Sequence, residues 1–89
     1  MPTVHLLIKG KVQGVFFRAT AKEVADELGL TGWVQNTEEG HVEAMATGTE
    51  KQLNDFIAWC KQGPPRARVT EVIPTEKSEQ HFDRFTVKR

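Results

Sequence analysis

The stretch Gly10-Lys11-Val12-Gln13-Gly14-Val15-Phe16-Phe17-Arg18 combines residue types that suit anion chemistry. It lies between an apolar run, Val4 to Ile8, and a helical pattern that starts near Phe17. Gly10 and Gly14 let the main chain curl, so that successive N–H groups turn inward as a nest. A helix beginning there adds its own unsatisfied N–H groups and the positive end of its dipole. Such a terminus favours phosphate or carboxylate. Arg18 stands near the helix start, where its planar fork grips two oxygens of the same anion. Phe16 and Phe17 offer the loop an apolar anchor. A plain strand-to-helix connection with Arg18 in solvent fits the same glycines. No Gly-Lys-Ser/Thr follows, so the loop is not a P-loop. Its glycine spacing is not that of a dinucleotide fingerprint either.

Asn36 is the second polar residue of interest. It ends a predicted strand just before a turn. A carboxamide accepts a hydrogen bond from water while donating to another oxygen, so it can hold a water in line without acting as a base. Opening the turn is the other role open to it, since Asn does that often. His5, His41 and His81 fall in three separate extended segments, and no pair has the i, i+4 spacing of helical metal ligands, so no metal site is expected. Cys60 lies on an apolar helical stripe and reads as buried packing rather than a nucleophile. Trp33 and Trp59 read as packing residues. Glu38-Glu39 and Glu76 to Glu79 read as solvated loops.

The elements that must position these residues follow from periodicity. Ala21, Val24, Ala25 and Leu28 recur at i, i+3, i+4 and i+7, opposite Lys22, Glu23, Asp26 and Glu27, and Gly29 sits at a left-handed C-cap. Thr31 to Asn36 is a strand, Thr37 to Gly40 a hairpin turn, and His41 to Thr47 a strand of alternating burial. Gly48 breaks it. Thr49 with Gln52 forms a capping-box signature, and Leu53, Phe56, Ile57 and Cys60 give a second apolar stripe. Gly63-Pro64-Pro65 stops that helix. Val69 to Thr75 and Phe82 to Lys88 are extended stretches around the polar Glu76 to Gln80. The order is βαββαβ, with the last strand open to interruption. One sheet face must cover two helices, and the tight central hairpin makes the sheet mainly antiparallel. The expected fold is α+β, a ferredoxin-like sandwich with both helices on one face.

Composition narrows the class further. With 89 residues, positions 1–89 make a single domain. Twelve Lys plus Arg balance twelve Asp plus Glu, so no global charge draws nucleic acid or an anionic membrane. No apolar run approaches the ~18 residues of a membrane span, and no signal peptide is read at the start. One cysteine makes no internal disulfide, which fits a reducing, cytoplasmic setting. A monomer is the default for so small and neutral a domain. An RNA-binding module of the same topology needs exposed aromatics on its central strands. His5, Leu7 and Lys9, with Glu43, Met45 and Thr47, do not provide them. A non-enzymatic anion-binding module would share the loop but have no use for Asn36.

Gly10 to Arg18 resembles the acylphosphatase signature G-x-V-Q-G-V-x-F-R. Gly32-Trp33-Val34-Gln35-Asn36-Thr37-Glu38-Glu39-Gly40 resembles that family's second signature, G-x-V-x-N-x-x-D-G, with Val42 and Glu43 following as is usual there. Gly63-Pro64-Pro65-Arg66-Ala67-Arg68-Val69 resembles its G-P-x-x-A-x-V element. Together the three motifs cover essentially the whole chain in order. Glu39 stands where Asp is usual and keeps the charge. The resemblance implies a hydrolase that converts acyl phosphates to a carboxylate and inorganic phosphate, with no metal and no other cofactor. Inorganic phosphate is then both product and inhibitor. It also implies that the loop Val12, Gln13, Gly14, Val15, Phe16, Phe17 and Arg18 binds the substrate phosphate, that Arg18 supplies the charge, and that Asn36 positions the attacking water.

Overall fold

In the computed structural model, which describes residues 1–89, both apolar stripes are buried against one face of a single sheet. Strand β1 is Thr3–Lys11, followed by α1, Phe17–Leu28, then β2, Thr31–Asn36, and β3, Val42–Thr47. Helix α2 is Glu50–Gln62, with β4, Arg68–Lys77, and β5, Phe85–Val87, completing the chain. The strand order is β4-β1-β3-β2-β5. Every pairing is antiparallel except β2 with β5. This is the ferredoxin-like sandwich that the element order implied.

The inward face carries Val4, Leu6 and Ile8 from β1, Val34 from β2, and Val42, Ala44 and Ala46 from β3. The helices contribute Phe17, Ala21, Ala25, Leu53, Phe56 and Cys60. Small residues on β3 leave room for the aromatic side chains above. Phe17, Trp59, Phe56 and Phe85 then form a continuous aromatic chain. Ring centroids lie 5.2, 6.3 and 5.8 Å apart along it, offset or edge-on as the ring quadrupoles favour. It joins the start of α1 to α2 and to β5, so the helix that begins at the chemically interesting loop is held by the core. The Thr49 capping box is complete: Gln52 N–H donates to Thr49 Oγ1 at 3.2 Å and Thr49 N–H donates to Gln52 Oε1 at 2.8 Å.

Several boundaries differ from the sequence reading. Gly10 and Lys11 belong to β1 rather than to the loop. The register shifts between Lys9 and Gly10, and Gly10 has φ 122 with the Arg68 carbonyl lying where a side chain would start. Gly10 is thus required for close approach of two backbones, not for curling the loop. β3 starts at Val42, one residue after His41. β4 is longer than Val69 to Thr75, and β5 begins only at Phe85 rather than Phe82.

The interruption between β4 and β5 has a reason in the sheet. β3 lies between β1 and β2, leaving each of those strands one free edge. β4 takes the edge of β1 and β5 takes that of β2. The connection between them crosses one end of the outer sheet face, where Gln80 is fixed. Gln80 N–H donates to Thr3 Oγ1 at 2.9 Å, and Thr47 Oγ1 donates to the Gln80 carbonyl at 3.0 Å. The two hydroxyls are 2.6 Å apart, so Thr3 donates to Thr47 and the ring of bonds closes. Thr47→Val keeps the shape but leaves the Gln80 carbonyl and the Thr3 hydroxyl without their partner. It is expected to lower stability by about 1–3 kcal/mol, read as a lower urea midpoint at unchanged m-value.

Candidate active site

The segment from Val12 to Phe16 joins β1 to α1 and is shaped by alternating backbone sign. Gly14 has φ 74 and Phe16 has φ 63, both left-handed, with Val15 between them. Val12, Val15 and Phe17 are buried, so every second or third side chain drives into the core while the main chain arches over it. No hydrogen bond within the protein uses a backbone N–H from Gln13 to Ala19 as donor. These groups include the first amides of α1, at the positive end of its dipole. A row of free donors on such an arch has the chemistry to take an anion.

The arch borders an open cleft of about 380 Å³. Its lining comes from the loop and helix start (Val12, Gly14, Phe16, Phe17, Arg18 and Ala19), from Asn36 at the end of β2, and from Val87 and Arg89 near the C-terminus. The half-buried Arg18 guanidinium donates from Nη1 to the Lys88 carbonyl at 3.1 Å. That bond occupies one donor and orients the fork, leaving the others for an anion. The lining includes two arginines and no acidic side chain or imidazole. Arg18 and Asn36, 18 positions apart in sequence, therefore share one cleft with the free amides.

Gln13 explains how Asn36 is brought there. Its Nε2 donates to the carbonyls of Thr37 at 2.9 Å and His41 at 2.8 Å, the two residues that close the β2–β3 hairpin. Thr37 N–H donates to the His41 carbonyl at 2.9 Å, and His41 N–H to Thr37 Oγ1 at 3.1 Å. The carboxamide thus straps the hairpin base, immediately after Asn36, to the arch. Its side chain is committed to the hairpin, which leaves its backbone N–H as the group it can offer in the cleft. Phe16 differs from the expectation that it anchors the loop. It is 77% exposed and anchors nothing. Val12, Val15 and Phe17 do the anchoring. A left-handed phenylalanine stores about 1–3 kcal/mol of backbone strain.

The C-terminal contribution escaped sequence reading. Nothing marks Val87, Lys88 and Arg89 as neighbours of Arg18, because 70 residues separate Arg18 from Lys88 and only the parallel β2–β5 pairing joins them. The histidines stay apart: His5 lies 3.8 Å from Glu43, His81 lies 3.4 Å from Asp83, and His41 sits half-buried in the hairpin with Nδ1 unpartnered. No group of three His, Cys, Asp or Glu side chains gathers anywhere in the chain. Trp33 lies on the outer sheet face under the Lys88 ammonium, 4.2 Å from the ring centroid. Cys60 is fully enclosed, and burial pushes its thiol far above the usual range.

Fold and cleft together define a small α+β protein with an open cleft where unpartnered backbone amides, Arg18 and Asn36 meet. A model of the acylphosphatase family matches residues 4–87. An acylphosphatase of Methylococcus capsulatus is 47% identical, with 100% of this chain and 98% of the relative covered. One from Marinobacter nauticus is 50% identical over 91% of this chain and 89% of its own. The crystal structure of acylphosphatase from Bacillus subtilis superposes with a TM-score of 0.97 at 37% identity, covering all of both chains. The chain belongs to the acylphosphatase family and is an enzyme of that class. No helix is long and apolar enough to cross a membrane.

Gln13→Ala removes both donors from the hairpin carbonyls. Stability is expected to fall by about 1–2 kcal/mol in urea unfolding, and kcat to fall by more than the affinity for inorganic phosphate, because the hairpin moves while Arg18 stays. Cys60 is expected to resist a thiol reagent in the native protein at neutral pH and to label fully in denaturing urea.

Proposed function

We propose that the cleft hydrolyses acyl phosphates by in-line attack of water on phosphorus, with the phosphoryl group held by the arch and Arg18. The observation that carries this reading is the run of unpartnered amides from Gln13 to Ala19 sharing a cleft with Arg18 and Asn36. Phosphoryl transfer is governed by positioning and charge stabilisation. A nest of N–H groups and one guanidinium provide both for a dianion, so the reaction calls for no metal ion.

An acyl phosphate is a mixed anhydride. Its leaving group is a carboxylate, weakly basic enough to depart without an acid. The water oxygen bonds to phosphorus as the bond from phosphorus to the acyl oxygen breaks, and the bonding pair leaves with the carboxylate. Asn36 holds the water through its carboxamide, which lacks the basicity to deprotonate it. The proton passes to the phosphoryl oxygens or to solvent, consistent with a cleft lined by no acidic side chain or imidazole. Inorganic phosphate, the product, fits the same arch and inhibits. The strapped hairpin, which fixes the backbone beside Asn36, and the Lys88 carbonyl, which orients Arg18, support this reading, since groups held before substrate arrives keep reorganisation out of the barrier.

Turnover of benzoyl phosphate tests the reading directly; a purified protein that leaves it intact overturns it. Arg18→Gln is expected to abolish both turnover and inhibition by phosphate, each through the lost charge, at a cost of about 3 kcal/mol or more in the barrier. Asn36→Ala is expected to collapse kcat by about 100-fold or more while phosphate still inhibits. A kcat profile governed by an enzymic base near pH 7 would contradict the route given for the proton.

A further inference from the structure

Phe16 is spent on nothing the fold requires. Apart from Met1 at the chain end, it is the large hydrophobic side chain that the structure leaves exposed, at 77%. It also occupies a left-handed position, φ 63, that glycine fills without strain. The arch needs that backbone shape to present its amides, but it does not need a phenyl ring there. Yet the ring lines the cleft that holds Arg18 and Asn36.

An acyl phosphate has two chemically opposite ends. Its dianion belongs in the nest, and the acyl end must then extend from the nest towards the open side of the cleft. The polar groups at the cleft are Arg18, Asn36 and Arg89; a bulky apolar surface beside them is the ring of Phe16. Exposed aromatic faces gain most by covering another apolar or aromatic group. We infer that Phe16 is a specificity-determining residue, packing against the apolar part of the acyl group and favouring aryl or longer alkyl acyl phosphates over acetyl phosphate. The inference rests on the reading of the arch as the phosphate site.

The test compares kcat/KM for benzoyl phosphate with that for acetyl phosphate in the wild-type protein and in Phe16→Gly, Phe16→Ala and Phe16→Leu. Glycine suits the left-handed backbone, so it removes the ring without adding strain to the arch. The expected result is a fall of about 5-fold in the benzoyl-to-acetyl ratio for the Gly and Ala variants, with most of the ratio retained by Leu. A ratio that stays at the wild-type value in both Gly and Ala overturns the inference. So does an equal loss on both substrates, which assigns Phe16 to the arch alone. In either case wild-type turnover leaves the phosphate reading standing. A wild-type protein that hydrolyses neither substrate overturns both.

Discussion

A main-chain arch whose amides find no acceptor inside the protein is the constraint from which the rest of the molecule follows. From Gln13 to Ala19 the backbone N–H groups point away from the usual partners of strand and helix. Left-handed Gly14 and Phe16, separated by a residue of negative φ, give the segment the alternation that a backbone nest uses. Such a shape does not persist unaided. Val12, Val15 and Phe17 are driven into the core beneath it, and the burial of three apolar side chains over so short a segment fixes its curvature.

Around the arch, three distant parts of the chain converge, each through a small number of bonds. The hairpin arrives through Gln13, which spends both carboxamide hydrogens on its closing carbonyls. The C-terminal strand arrives through parallel pairing with β2 and sets a carbonyl against Arg18. The aromatic chain from Phe17 through Trp59 and Phe56 to Phe85 ties the helix start to that same strand from below. The hydroxyl ring of Thr3, Thr47 and Gln80 fixes the crossover that delivers β5 to its edge. The Arg18 guanidinium is thus oriented by the Lys88 carbonyl, and the backbone at Asn36 by the strapped hairpin, so neither depends on a long flexible loop.

That arrangement suits a reaction with an activated leaving group. A carboxylate needs no proton to depart, so the proposed mechanism asks of the site charge, geometry and a placed water rather than an acid–base pair. In that proposal the dianion is stabilised mostly by amides and a guanidinium that are already oriented. The strain at Phe16 is consistent with this. Backbone strain persists where the surrounding structure over-determines the conformation, and here buried residues on either side do so.

Local physics made much of this legible in the amino-acid order. Helix stripes, the capping box at Thr49, the hairpin turn, the βαββαβ order and the candidates Arg18 and Asn36 all depend on residues within a few positions of one another. Their chemistry is decided by spacing along one element. Whether Arg18 and Asn36 meet is decided otherwise. β3 had to enter between β1 and β2, which placed β4 and β5 on opposite edges and brought Lys88 and Arg89 to the cleft. The strap from Gln13, the close approach that requires Gly10, and the outward turn of Phe16 likewise belong to tertiary structure. Each is a contact across many residues, or a competition for core space among Val12, Val15, Phe16 and Phe17, and the sequence pattern carries no record of which side chain wins it.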